Sequence, residues 1–246
     1  MENNLLFRTV EQAIYNNNFN DKNVDFTVTN SNGEDLLMHV CKINIPCEAS
    51  FQILFYYELR MIELHPQDYD LDTGPNYDYT NHRDNNGVTT FMWFLRSKLR
   101  EGVRSNRMWS YFVDSNPNLC DPTGRNCLWH AWFHYYRINN SLPSNPIKII
   151  EKVMFMFCRE DSEEDDKIQF MIDINHKNIY DESFLHEVVA GFRESPGERE
   201  RWYPDELKAW RYRLVKQLIK WGATVTQTMI DQCTDTRVKK LLLVNV

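Results

Sequence analysis

The chain has 246 residues, of which 42% are hydrophobic, 13% aromatic and 26% charged, and its net charge is −7. That is enough for one large domain or two small ones around a sizeable core, and the aromatic content argues against disorder, because a disordered chain lacks the groups that repay the entropy of ordering. The negative balance argues against a general nucleic-acid or anionic-membrane binder, since both need a positive field.

Met1-Glu2-Asn3-Asn4 places no basic segment ahead of an apolar one, so no leader is expected. No apolar run approaches the ~20 residues of a membrane span. Residues 4–17 are expected as a helix, with Leu5, Leu6, Val10, Ala13 and Ile14 at helical spacing and the role of an N-terminal cap. A polar loop follows at 19–24. Short apolar helices are expected to begin near 35, 89, 126 and 183, each followed by a second helix, near 49–62, 103–114, 146–158 and 205–221. Residues 226–245 read as a closing helix pair.

Three stretches interrupt this order. Residues 61–80 hold five acids and no Lys or Arg, with Tyr69, Tyr77 and Tyr79 interleaved. Asp68-x-Asp70-x-Asp72 has the alternating acids of a calcium loop, but the Gly comes one place late and Tyr79 stands where the last ligand belongs. The stretch reads as a solvated insertion or, through its tyrosines, as a protein-contact loop. Residues 159–167 are a charge run and read as solvated. Residues 191–204 carry two Gly and two Pro among charges and read as a loop.

The short helices share one preamble. It reads Asn32-Gly33-Glu34-Asp35 before Leu36-Leu37-Met38-His39, and Asn86-Gly87-Val88-Thr89 before Thr90-Phe91-Met92-Trp93. It recurs as Thr123-Gly124-Arg125-Asn126 before Cys127-Leu128-Trp129-His130, and as Tyr180-Asp181-Glu182-Ser183 before Phe184-Leu185-His186-Glu187. The fourth residue of each is an N-cap type, whose side-chain oxygen can accept an orphan N–H of the first turn. Three of the four carry Gly before it, where a tight turn needs positive φ.

This pattern resembles the ankyrin repeat, whose signature is a glycine turn followed by Thr-Pro-Leu-His. Leu214-Val215-Lys216-Gln217-Leu218-Ile219-Lys220-Trp221-Gly222-Ala223-Thr224-Val225 resembles that family's second helix and the segment after it. Ser115-Asn116-Pro117-Asn118-Leu119, Ile172-Asp173-Ile174-Asn175 and Val24-Asp25-Phe26-Thr27 resemble the same post-helix segment. The departures are several. Only His186 keeps the signature His, no repeat keeps the Pro, and the steps from Gly33 to Gly87, Gly124 and Asp181 are 54, 37 and 57 residues, against ~33 in a regular array.

The resemblance implies an all-α, ankyrin-like helical-repeat solenoid with irregular insertions and helical caps. It implies one domain over 1–246: a cap helix at 1–24, repeats at 25–66, 67–114 with an insertion, 115–171 and 172–225, and a C-terminal cap at 226–246. It further implies a non-catalytic module that binds a protein or peptide along a concave face made of turn tips and first helices. Turn positions Glu34, Val88, Arg125 and Glu182 would then be free. So would helix positions His39, Trp93, His130 and Glu187 and, one turn on, Lys42, Arg96 and Phe133. Trp93, Arg96, Arg125, His130, Phe133 and His39, with Tyr77 and Tyr79 of the insertion, are the expected partner-binding residues, because aromatics and Arg dominate interface hot spots. Packing beneath an insertion is the competing fate of each aromatic. The drift from consensus and the Asn-rich loops fit a host-directed protein of a large DNA virus or an intracellular bacterium.

Catalytic and metal signatures are absent. His130 and His134 lie four apart on one expected helix, but Ala131 stands where a metalloprotease carries Glu. No phosphate-binding glycine loop, nucleophile elbow or kinase motif occurs, and no metal or cofactor is expected. The six cysteines include no CxxC pair; an even number permits disulfides, but free thiols and an intracellular protein are expected, with Cys41 and Cys127 in the core. The basic stretch Arg96, Lys98, Arg100, Arg104 and Arg107 reads as a solvated or acidic-partner surface rather than a nucleic-acid site. Two alternatives stay open: an enzyme or small-ligand regulator with a pocket under an insertion, and a self-associating structural protein.

Overall fold

The computed structural model describes residues 2–19, 28–53, 55–56, 69–70, 74–75, 81–100, 109–110, 112–113, 115–137, 146–160, 168–190 and 204–246. The architecture is all-α, with two short antiparallel hairpins among the described residues. It divides into two compact units, Met1–Pro122 and Thr123–Val246.

In the first unit, helix α1 (Glu2–Tyr15) buries Phe7, Val10 and Ile14 at helical spacing. Leu5, expected in that stripe, is 68% exposed; it lies two residues from Phe7, about 200° around the helix axis. Helix α2 (Leu36–Ile43) starts where Asp35 accepts the Met38 N–H at 2.7 Å and ends at Asn44, whose φ is 61°. Helical residues at 48–53 and 55–56 carry the start of the expected second helix. Strands β1 (Tyr69–Asp70) and β2 (Gly74–Pro75) pair within the acidic insertion. Helix α3 (Thr90–Arg96) packs against α2, capped by the Thr89 hydroxyl on Met92 N–H at 3.2 Å. Behind it, Phe94 stacks on Phe112 at 4.6 Å and meets Trp109 edge-on at 5.1 Å. Each such fully buried aromatic contributes about 1.5–3 kcal/mol relative to exposure.

In the second unit, helix α4 (Cys127–Arg137) follows Asn126, whose side chain accepts the Leu128 N–H at 3.1 Å. Helices α5 (Pro146–Met156) and α7 (Pro204–Lys220) both open on proline. That position suits a residue without an N–H and with φ already near the helical value. Strands β3 (Cys158–Glu160) and β4 (Ile168–Phe170) pair antiparallel, with Arg159 opposite Gln169. The charge run at 159–167 therefore begins inside a strand, and its remainder, 161–167, falls outside the described residues. Helix α6 (Phe184–Ala190) begins after Ser183, whose hydroxyl accepts the His186 N–H at 3.3 Å. Phe184 packs edge-on to Trp129 at 5.5 Å and Trp132 at 6.5 Å.

Helix α7 ends in a Schellman motif. The Gly222 N–H donates to Ile219 and the Ala223 N–H to Leu218, both at 3.0 Å, with Gly222 at φ 95°. Helices α8 (Gln227–Gln232) and α9 (Thr236–Leu243) close the chain, capped by Thr226 and Asp235. None of the six cysteines is in a disulfide, and Cys41 and Cys127 are buried. No helix among the described residues is long and apolar enough to cross a membrane.

Candidate interaction surface

Three of the turns before the short helices are built alike. In the first, the Asn30 side chain accepts the N–H groups of Asn32 and Glu34, the Asn30 backbone N–H donates to the Glu34 carbonyl, and the Gly33 N–H donates to the Asn30 carbonyl. Asp84 makes the same four bonds with Asn86, Val88 and Gly87. Asn178 makes them with Tyr180, Glu182 and Asp181. Asn and Asp suit this position because a short side-chain oxygen reaches backbone N–H groups two and four residues on. The positive-φ residues of the four turns are Gly33, Gly87, Gly124 and Asp181, at 73°, 69°, 75° and 60°. Asp181 thus takes the conformation that the other three leave to glycine.

Neighbouring turns are joined by a repeated pair of bonds. Asn85 N–H donates to the Asn32 carbonyl at 2.8 Å, and His82 Nε2 lies 2.9 Å from the Gly33 carbonyl oxygen. In the second unit Ile179 N–H donates to the Thr123 carbonyl at 3.1 Å, and His176 Nε2 lies 2.9 Å from the Gly124 carbonyl oxygen. The third turn departs from this. Leu119 stands at the place of the histidines, and Pro122, at the place of Asn85 and Ile179, has no N–H to give. Within the first unit Arg83 donates to the Gly87 carbonyl at 3.1 Å and the Cys120 carbonyl at 2.7 Å. The division between the two units falls directly after Pro122.

The positions expected to be free are only partly so. Glu34 is 2% exposed and Val88 6%, so neither is an open turn tip. His130 is 1% exposed, against the expectation for a binding residue. Every residue from Asn126 to Trp132 is buried, so the start of α4 is covered all round and no open stripe is left for His130. His39 is 13% exposed by side chain, packed edge-on to Phe7 at 4.9 Å between Glu11 and Glu34. Arg125 is 20% exposed and faces Glu187 at 3.6 Å. Phe133 lies in α4, but its side chain, that of His134, and Tyr77 and Tyr79 fall outside the described residues.

Trp93 and Arg96 do lie together, on α3, and both are half-buried. The Lys42 ammonium sits 4.9 Å from the Trp93 ring centroid and the Arg96 guanidinium 5.1 Å from it, both in cation–π range. The Trp93 indole N–H donates to Asp84 Oδ2 at 3.0 Å, so the turn-forming carboxylate also fixes the ring. Glu34 accepts from Lys42 and from Asn30. Burial pushes the Glu34 carboxyl up, but the bonds from Lys42 and Asn30 and the charges of Lys42 and His39 outweigh it, leaving it below the usual carboxylate range.

A second concavity lies in the second unit. A cleft of about 510 Å³ is lined by Lys177, Tyr180, Ser183 and His186 on one side and Thr226 and Met229 on the other. Two of its lining residues are joined, with His186 Nε2 2.8 Å from Gln232 Oε1. Tyr180, in its lining, is 66% exposed, and its chain neighbour Ile179 is 63% exposed. Sequence reasoning missed this cleft; the signal available was an apolar and an aromatic residue at turn positions held elsewhere by Asn85 and Asn86. Comparison with known proteins finds no family model that matches the chain and no curated relative that matches it.

Proposed function

We propose that the chain is a non-catalytic protein-interaction module, an irregular ankyrin-like array whose turns and short helices present binding side chains to a partner protein. The observation that carries this reading is the turn itself: the same four hydrogen bonds, rebuilt on Asn30, Asp84 and Asn178, before helices that start at the same offset. Repetition of one supersecondary unit generates extended, pre-formed surface, which suits a protein or peptide better than a small substrate. The six free thiols support an intracellular setting, where cysteines stay reduced.

The test is affinity capture from cell lysates on the immobilised full chain, wild type beside a Trp93→Ala, Arg125→Glu variant with unchanged melting. A partner held by the wild type and lost by the variant supports the module. Failure to retain any partner across several lysates overturns it. The second reading, a regulator of small-ligand type, is favoured by the cleft at Tyr180 and His186, whose size is within the usual range for ligand pockets. A metabolite that raises the melting temperature of the wild type but not of Tyr180→Ala would select it.

A further inference from the structure

We propose that the cleft beside the fourth turn takes a turn-forming segment of a partner protein, one that presents a main-chain N–H and, three residues ahead of it, a histidine ring. This deepens the interaction-module reading and rests on it.

At two junctions a turn offers two carbonyls to the turn after it. Those of Asn32 and Gly33 are met by the Asn85 N–H and the His82 ring. Those of Thr123 and Gly124 are met by the Ile179 N–H and the His176 ring. Tyr180 and Asp181 hold the same two places in the fourth turn. Its four internal bonds and the positive φ of Asp181 match the first turn, so its carbonyls leave the turn in the same directions. Among the described residues no donor meets either carbonyl.

The chain keeps the pattern almost as far as a fifth turn. Asn175 Oδ1 accepts the Thr224 N–H as Asn81 Oδ1 accepts the Asn116 N–H, both at 2.8 Å. Three residues past Asn116 stands Leu119, at the place of the histidines; three past Thr224 stands Gln227, the first residue of α8. A helix thus runs where the turn would have come. What remains is a cleft of about 510 Å³, lined by Tyr180 and Asp181 and, beyond α7, by Thr224, Thr226 and Thr228. The bonds used at the earlier junctions define the occupant: a main-chain N–H for the Tyr180 carbonyl and a ring N–H for that of Asp181. A second copy of this chain supplies the ring poorly. His82 and His176 are engaged within their own units, and Val28 and Leu119 stand at that place in the other two turns. The fourth turn is already held by its own bonds, so docking on it orders little that was free.

The experiment uses the full chain and a fluorescein-labelled peptide with the sequence of residues 80–89, closed into a loop through its ends and read by anisotropy. The wild type should bind it. The His82→Ala and Asn85→Pro versions of the peptide should each bind about fivefold or more weakly, the loss of one hydrogen bond; proline removes the N–H, as Pro122 does in the third turn. Thr228→Tyr in the protein, which fills the cleft from an exposed position, should lose the peptide, and Thr224→Tyr, also exposed, should do the same. No binding by the wild type, equal binding of the three peptides, or tyrosine variants that melt normally and still bind would each overturn the proposal. So would a concentration-dependent dimer that Thr228→Tyr abolishes, which gives the cleft to a second copy. Failure of the peptide beside a lysate partner still lost in the capture variant would leave the module reading standing and remove only this docking site.

Discussion

His82 Nε2 lies 2.9 Å from the carbonyl oxygen of Gly33, 49 residues earlier in the chain. The bond ties the second turn to the first, and His176 makes its counterpart with Gly124. Loop-to-loop bonds of this kind matter because a turn has little apolar area of its own to bury. Replacing His82 with Ala should destabilise the protein by about 1 kcal/mol, the usual net worth of one hydrogen bond. His82→Gln, which can still donate, should recover part of it. Denaturant midpoints at constant slope check both.

Asp35 should give stability an inverted pH dependence. Burial raises its carboxyl from 3.8 to about 6, although the Met38 N–H, the His82 charge and the Thr90 hydroxyl pull the other way. Between those two values the folded state binds a proton that the unfolded state does not. This group's contribution is therefore fully present below about 3.8 and is lost as pH rises through about 6. Its size is about 3 kcal/mol at most. The other three N-caps of the series, Thr89, Asn126 and Ser183, carry no charge. Asp35→Asn keeps a good cap and should raise stability at neutral pH relative to wild type, with the two stability curves converging toward pH 4. Parallel curves across that range would count against the assignment.

Two glycines with similar dihedrals should respond differently to alanine. A Cβ on Gly124 would lie 2.9 Å from the Ile179 nitrogen and 3.0 Å from the Asn178 Cα, backbone atoms that cannot step aside. A Cβ on Gly222 would meet nothing within 4 Å. Gly222→Ala should cost about 1–2 kcal/mol from the left-handed conformation alone, and Gly124→Ala clearly more. Thermal or chemical denaturation of the two variants side by side measures the difference.

Trp93→Phe isolates one hydrogen bond. It removes the indole N–H from Asp84 Oδ2 while leaving an aromatic ring beneath Lys42 and Arg96. Asp84 is 4% exposed, so its oxygen loses a donor that water cannot easily replace. A loss of about 1–3 kcal/mol is expected. Trp93→Phe combined with Asp84→Asn should be less than additive, because the two side chains share that bond.

The local grammar was legible in the residues. Short helices begin at Leu36, Thr90, Cys127 and Phe184, one residue after the expected cap positions, because an N-cap oxygen and a positive-φ glycine act within four residues of themselves. Gly222 likewise marked the end of α7. The bonds between turns were not read, although a His two residues ahead of Asp84 and Asn178 was in view, because their acceptors lie about fifty residues away along the chain. Strand pairing of Cys158–Glu160 with Ile168–Phe170 was hidden for a similar reason: its partners flank a charge run with no alternation to mark them.

Exposure was the quantity that only the tertiary structure decided. His39, Trp93 and His130 occupy the same offset from their turns, yet one is wedged between two acids, one lies beneath two cations, and one is 1% exposed. The sequence by itself determined where each turn and short helix starts, since those signals are bonded neighbours. It could not determine which helix faces stay open, because burial depends on what packs over a residue from elsewhere in the chain, and that is set by the sum of distant contacts rather than by any local pattern.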